Sequence, residues 1–386
     1  MEPASAGQRD PLLFPDVVVA PTESVIGRRR RAEFQGGPIW PGFEARVHAR
    51  HCRHTPARPF DVAPTPPASV EDTLDEAIWR GPVCPHFGHS IADFSMRIAE
   101  AAHRTTLPLL FSHWPGGIAH RPTWFDATLA QFGVPPGRVS LRDAPVRVAR
   151  LHVFPQAERP AGPPPRRAYL DLLDRVTPAE TDPAFRGATV FVSRSRVHRL
   201  TLAGRIAGEG YLDEAMAAAG ALVLHPETRP LAEQLRIYRS AARLVFSEGS
   251  ALHALQLMGR VRAEVSVLVR RPGTRMAEGA VSGRAATLHW LEPLRGVVTG
   301  HHRSGTGRDG SRAVTLLDGP ALLAALGAAT GLALAPHWDA ARWERAWRED
   351  LRRWLQARQS RLRGTAHAEA DAAVVARRLR ELGLQA

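Results

Sequence analysis

Residues 243–259, RLVFSEGSALHALQLMG, pass from an apolar run through a polar break into a helical pattern. Leu244, Val245 and Phe246 form the short apolar run of a buried strand, and Ser247-Glu248-Gly249-Ser250 interrupts it before the helical residues begin. A strand, a turn and a helix start in this order suit an open parallel sheet. There, ligands sit at the carboxyl ends of strands, and the free N–H groups of the following helix attract anions. The stretch predicts an α/β fold with a phosphorylated ligand near Gly249 and Ser250. A structural turn with no ligand fits the same residues.

The flanking sequence repeats the pattern. Residues 189–194 read as a strand ending in Ser193-Arg194, 205–220 as a helix that includes Glu209, and 221–227 as a strand ending in His225-Pro226-Glu227. Residues 231–242 then read as a helix carrying Glu233 and Gln234, and 264–269 as a further strand. Strand and helix alternate as in one Rossmann-like half. Arg194, His225, Glu227 and Glu248 gather at its strand ends, as a nucleotide site requires.

Toward the N-terminus the rhythm continues in residues 107–112, 123–133 and 148–154, followed by a proline-rich loop at 160–167 and a helix over 168–176. Residues 81–104 place Pro and Gly before a helical pattern whose apolar face holds Ile91, Phe94 and Ile98. His89 and Asp93 are four residues apart and project from the same side. Such a pair accepts a proton from a hydroxyl nucleophile, or caps and packs a helix start; the spacing allows both. Residues 1–60 read as irregular, with short β segments, the run Arg28-Arg29-Arg30-Arg31 and a histidine-rich piece, His48, His51, Cys52 and His54, whose spacing fits no ordinary zinc site. Residues 296–310 read as a flexible loop. The tail from Trp338 is helical, with Trp343, Trp347, Leu351, Trp354 and Leu355 as an apolar docking stripe.

The chain has 386 residues, enough for two domains. The expected divisions are 1–60, 61–180, 181–335 and the helical tail 336–386. Its formal charge is +13, yet Lys and Asn are absent and all 51 basic residues are Arg, spread along the chain. A GC-rich coding sequence accounts for much of that excess, which weakens a nucleic-acid reading. Two cysteines without a CxxC pair suggest reduced thiols. Charge appears early at the N-terminus and no apolar run reaches membrane-spanning length. The expectation is a cytoplasmic protein, with peripheral association at the inner face of a membrane left open by its arginines.

With these residues in place, the chain resembles glycosyltransferase family 61, the group often labelled capsular polysaccharide biosynthesis proteins in bacteria. The resemblance rests on His86-Phe87-Gly88-His89 with Asp93, Ser193-Arg194, Arg205 before Glu209, His225-Pro226-Glu227, Glu233-Gln234, and Ser247-Glu248-Gly249-Ser250-Ala251-Leu252-His253. The chain departs from the family pattern at Gly208, where relatives have Asn, and at Glu248, where many have His. The resemblance implies a GT-B architecture of two Rossmann-like domains facing a cleft, acceptor domain first and nucleotide-sugar domain second. It also implies an inverting transfer from a nucleotide-sugar to a polysaccharide or glycan, with no metal or other cofactor. In that scheme Asp93 is the base with His89 as helper, and Arg194, Arg205 and the backbone at Gly249 and Ser250 hold the diphosphate. Glu209, His225, Glu227, Glu248 and His253 complete the donor site, with Glu248 facing a sugar or ribose hydroxyl. A non-catalytic nucleotide-binding relative, acting as partner in a polysaccharide assembly complex, is the alternative; the oligomeric state is left open.

Overall fold

The computed structural model describes residues 10–26, 34–197, 203–301 and 308–384. The run Arg28–Arg31 and part of the loop expected at 296–310 lie outside them. The chain forms two compact units: residues 1–180, 252–261 and 275–286 make the first, and 181–251, 262–274 and 287–386 the second. Among the described residues no helix is long and apolar enough to cross a membrane.

The first unit contains β1 (Leu12–Ser24), β2 (Phe34–Pro38), β3 (Cys52–Arg53), β4 (Arg58–Pro59), β5 (Asp61–Val62), β6 (Asp72–Pro82), β7 (Leu109–Ser112), β8 (Val139–Arg142) and β9 (Val146–Val153). Seven of them form one sheet in the order β5-β2-β1-β9-β6-β7-β8. β9, β6, β7 and β8 are mutually parallel, whereas β1 runs antiparallel to both β2 and β9. The segment expected to be irregular thus holds a long strand in the middle of a mixed sheet. Pro15 and Pro21 argue against a strand on local grounds. Burial of Phe14, Val17 and Val19 in the core with Trp79, Val148 and Leu151 outweighs that preference.

The second unit is built on β10 (Thr189–Val192), β12 (Leu222–Leu224), β13 (Arg243–Ser247) and β14 (Val261–Leu268), extended by β15 (Ala285–Leu291) in the order β12-β10-β13-β14-β15. β12, β10, β13 and β14 are parallel, and the helices Glu209–Ala218 and Leu231–Ser240 lie in the connections between them. A smaller sheet joins β11 (Arg205–Ile206), β17 (Val314–Leu317) and β16 (Leu294–Val298) in that order. Arg205, expected to open a helix, therefore sits in a strand. Its backbone N–H donates to the Ala313 carbonyl at 3.0 Å, that of Ala207 to Thr315 at 2.9 Å, and the helix begins only at Glu209. The tail helix Ala340–Leu362 buries Trp343, Trp347, Leu351 and Trp354 in one core with Tyr211 and Leu212. Arg194, Glu248 to Ser250, and Arg270 with Arg271 follow the ends of three of the parallel strands, β10, β13 and β14.

Candidate functional site

In the first unit the chain leaves β6 and makes a short helical turn, Phe87–His89, that widens into a π-helical turn, Ser90–Phe94. Such widened turns often accompany functional sites. Asp93 is fully enclosed, and its carboxylate accepts from Arg53 Nε and Nη2, both at 2.8 Å, and from His89 Nδ1 at 2.7 Å. A carboxylate only accepts, so Nδ1 donates, and in the neutral imidazole the lone pair is then on Nε2. Nε2 makes no hydrogen bond among the described residues, and the His89 side chain is 33% exposed. Burial pushes the Asp93 carboxyl upward, but the hydrogen bonds from His89 and Arg53 and the charge of Arg53 outweigh it, and the group sits below its ordinary value.

Arg53 lies 4.1 Å from the Phe60 ring, a cation–π contact that fixes its plane. Gln156 holds the surrounding backbone, accepting from Cys52 N at 2.7 Å and donating to the Asp93 carbonyl at 3.3 Å. Arg53, Phe60 and Gln156 escaped the sequence reading, because one arginine among many, distant in the chain, carries no local signal. The histidine-rich piece dissolves into separate environments. His51 is buried against the rings of Phe34, Phe60 and Phe94, and burial, with Arg97 nearby, lowers its pKa well below the usual value. Among the described residues no three or more His, Cys, Asp or Glu side chains are grouped to hold a metal. Both cysteines are buried free thiols, and burial pushes Cys84 up to about 12.

In the second unit the guanidinium of Arg194 lies across Gly249. A Cβ there would meet Arg194 Nη1 at 2.1 Å, so the close approach needs glycine. Arg194 also donates from Nη2 to the Gly204 carbonyl at 3.3 Å, and its backbone N–H donates to Glu209 Oε1 at 2.8 Å. Glu209, buried, also receives Ser193 Oγ at 3.5 Å.

Glu248, expected to meet a sugar or ribose hydroxyl, is turned inward onto the end of β14. Its Oε2 accepts the backbone N–H groups of Arg270 and Arg271, each at 2.8 Å, and its Oε1 accepts Arg271 Nε at 2.9 Å. It is the anchor of an arginine platform rather than a free polar group. Arg270 is 5% exposed, and burial, then the charges of Arg194 and Arg271, push it down to about 9. Burial likewise lowers Arg194. Three guanidinium groups against Glu248 and Glu209 leave net positive charge at adjacent strand ends, which suits a diphosphate. Arg270 and Arg271 were missed from sequence; their position directly after a predicted strand was the available signal.

The remaining expected residues are distributed differently. His225 Nε2 lies 3.8 Å from Asp213 Oδ2, which also accepts Ser195 Oγ, and burial pushes Asp213 up to about 7. Glu227 is exposed in the turn Pro226–Thr228. Arg205 is buried, with Asp350 of the tail helix as its charged partner. His253 bonds Gln256 at 2.9 Å in the 3₁₀ helix Ser250–Leu257, within a part of the chain that belongs to the first unit. The structure thus brings Arg194, Glu248 and Gly249 together with Arg270 and Arg271, and places His89 with Asp93 and Arg53.

Residues 87–262 match the family model described as Glycosyltransferase 61, which supports assignment to glycosyltransferase family 61. No curated protein matches the chain.

Proposed function

We propose, with the family 61 match as premise, that the chain is an inverting, metal-independent glycosyltransferase that moves a sugar from a nucleotide-sugar donor to a polysaccharide or glycan acceptor. The family implies glycosyltransferase activity. The arginine platform at the ends of β10, β13 and β14 carries the finer reading. In it the two units take GT-B roles, the first for acceptor chemistry and the second for the donor.

His89, rather than Asp93, is the base. Asp93 is engaged by two guanidinium nitrogens and held below the ordinary carboxyl range, which makes it a poor proton acceptor. It instead orients the imidazole and stabilises the imidazolium. The acceptor hydroxyl gives its proton to His89 Nε2 as its oxygen forms a bond to the anomeric carbon. The bond from that carbon to the diphosphate breaks on the opposite face, which inverts configuration. Arg194, Arg271 and the N–H groups at Gly249 and Ser250 receive the charge that develops on the leaving diphosphate. These groups are cationic or N–H donors, so the charge is met without a metal ion in the scheme.

The test is nucleotide release from UDP-, GDP-, CMP- and dTDP-sugars by the native chain and by His89→Ala. The expected result is turnover with one donor class, reduced on the order of 10²–10⁴-fold by the substitution, with donor binding retained. Donor binding by the native chain with no turnover toward any acceptor would favour the non-catalytic relative.

A further inference from the structure

The second unit encloses a cavity of about 430 Å³ between the residues that follow β14, the strand β16, the chain around Gly310 and the helix Ala368–Glu381. Its walls carry Arg270, Arg271, Arg308, Arg377 and Arg378, and one acid, Glu381. That acid is already paired, to Arg378 Nη1 at 2.9 Å. Neither Arg308 nor Arg377 is paired with a carboxylate among the described residues, and both are exposed. Arg270 contributes a different kind of signal. Its Nη1 is buried with no hydrogen-bond partner, although its Nε reaches the Glu248 carbonyl at 3.4 Å. A buried guanidinium N–H left unmade is costly; this one packs against Gly204, and the exposed Arg308 and Arg377 are the cations offered directly to a ligand.

The lining also narrows the ligand. Among the described residues no aromatic ring faces the cavity, so they offer no stacking surface for a base or a sugar ring. Thr274 and Thr299 add hydroxyls, while Val297 and Val374 give only small apolar walls. Guanidinium forks match the planar or tetrahedral oxygens of carboxylate and phosphate and hold them two bonds at a time. Burial lowers the Arg270 pKa, and the adjacent Arg271 adds repulsion that a multivalent anion would relieve.

We propose that this cavity is a second anion subsite, for a ligand bearing at least two phosphate or carboxylate groups, which shares Arg271 with the donor diphosphate site and adds Arg308, Arg377 and Arg378. Helix Ala368–Glu381 supplies two of the five arginines, Arg377 and Arg378, a binding role for the tail beyond its packing.

Calorimetry on the Arg194→Ala chain at low salt tests this, because that background weakens the donor site. The probes are inorganic diphosphate and trigalacturonate. At least one should bind, and adding Arg308→Ser and Arg377→Ser should weaken it by about tenfold or more, as expected for loss of charge-assisted bonds. Tighter diphosphate identifies a phosphorylated ligand; tighter trigalacturonate identifies an acidic glycan. Failure of both probes to bind, or undiminished binding by the added substitutions, overturns the proposal. In the otherwise native chain the same pair of substitutions should leave nucleoside diphosphate affinity within about threefold, since neither Arg308 nor Arg377 belongs to the platform of Arg194, Arg270 and Arg271. That comparison separates a failure here from a failure of the transferase reading.

Discussion

Asp93 is a carboxylate without solvent contact that three hydrogen bonds keep ionised. Because its folded pKa is depressed, its contribution to stability is present above the unfolded value of about 3.9 and fades as pH falls through the lower folded value. Urea denaturation of the native chain and Asp93→Asn should therefore show a gap that is constant near neutrality and narrows below about pH 4. A gap that persists unchanged to low pH would contradict the ionised, clamped state. Gly249 gives a second prediction. A Cβ there meets Arg194 from its Cδ, at 2.7 Å, to its Nη1, so Gly249→Ala should displace the guanidinium and weaken nucleoside diphosphate binding by about tenfold. Gly208 explains its own departure from the family pattern. It holds φ 80°, a conformation that Gly and Asn tolerate best, and a Cβ would meet the Trp343 ring at 2.7 Å. Trp343 fills the room an Asn side chain would need. Gly208→Asn should destabilise by about 1–3 kcal/mol, with part of the loss recovered alongside Trp343→Leu in a double-mutant cycle. The His89 and Asp93 pairing was legible because four-residue spacing keeps two side chains on one side even through the widened turn. Arg53, forty residues away in sequence, was not.

Among elements, the alternating strands and helices from β10 to β14 were legible because fully buried parallel strands are nearly continuous apolar runs. β1 was not, since its prolines are tolerated only through tertiary packing, and the short β11 was hidden because its hydrogen bonds come from residues 313–315, far along the chain. The return of residues 252–261 and 275–286 to the first unit was equally invisible. Those two segments are tied by Arg284, wholly buried. It donates to the carbonyls of Ala280 at 2.8 Å and Leu255 at 3.0 Å, to that of Met258, and to the carboxylate of Glu158. Arg284→Met leaves Glu158 buried without its cation and should cost about 3–5 kcal/mol by chemical denaturation. A loss below about 1 kcal/mol would mean that the segments are held by their other contacts, such as Gln131 to the Leu257 carbonyl and Arg260 with Asp171, together with apolar packing.

Over the whole molecule, the formal charge of +13 gains meaning only from where the arginines stand. Many are ordinary surface partners of carboxylates, such as Arg348 with Glu344 and Arg353 with Glu349. A few collect at the carboxyl ends of adjacent parallel strands, held by Glu248 and admitted by Gly249. That concentration is the central feature of the transferase account, in which it forms the proposed diphosphate site. The most direct test is calorimetric titration of UDP, GDP, CDP and dTDP into the native chain and Arg194→Ala. The account predicts that one nucleoside diphosphate binds the native chain and that Arg194→Ala weakens it by about tenfold or more. Binding of none of the four, or equal affinity in both chains, would contradict it.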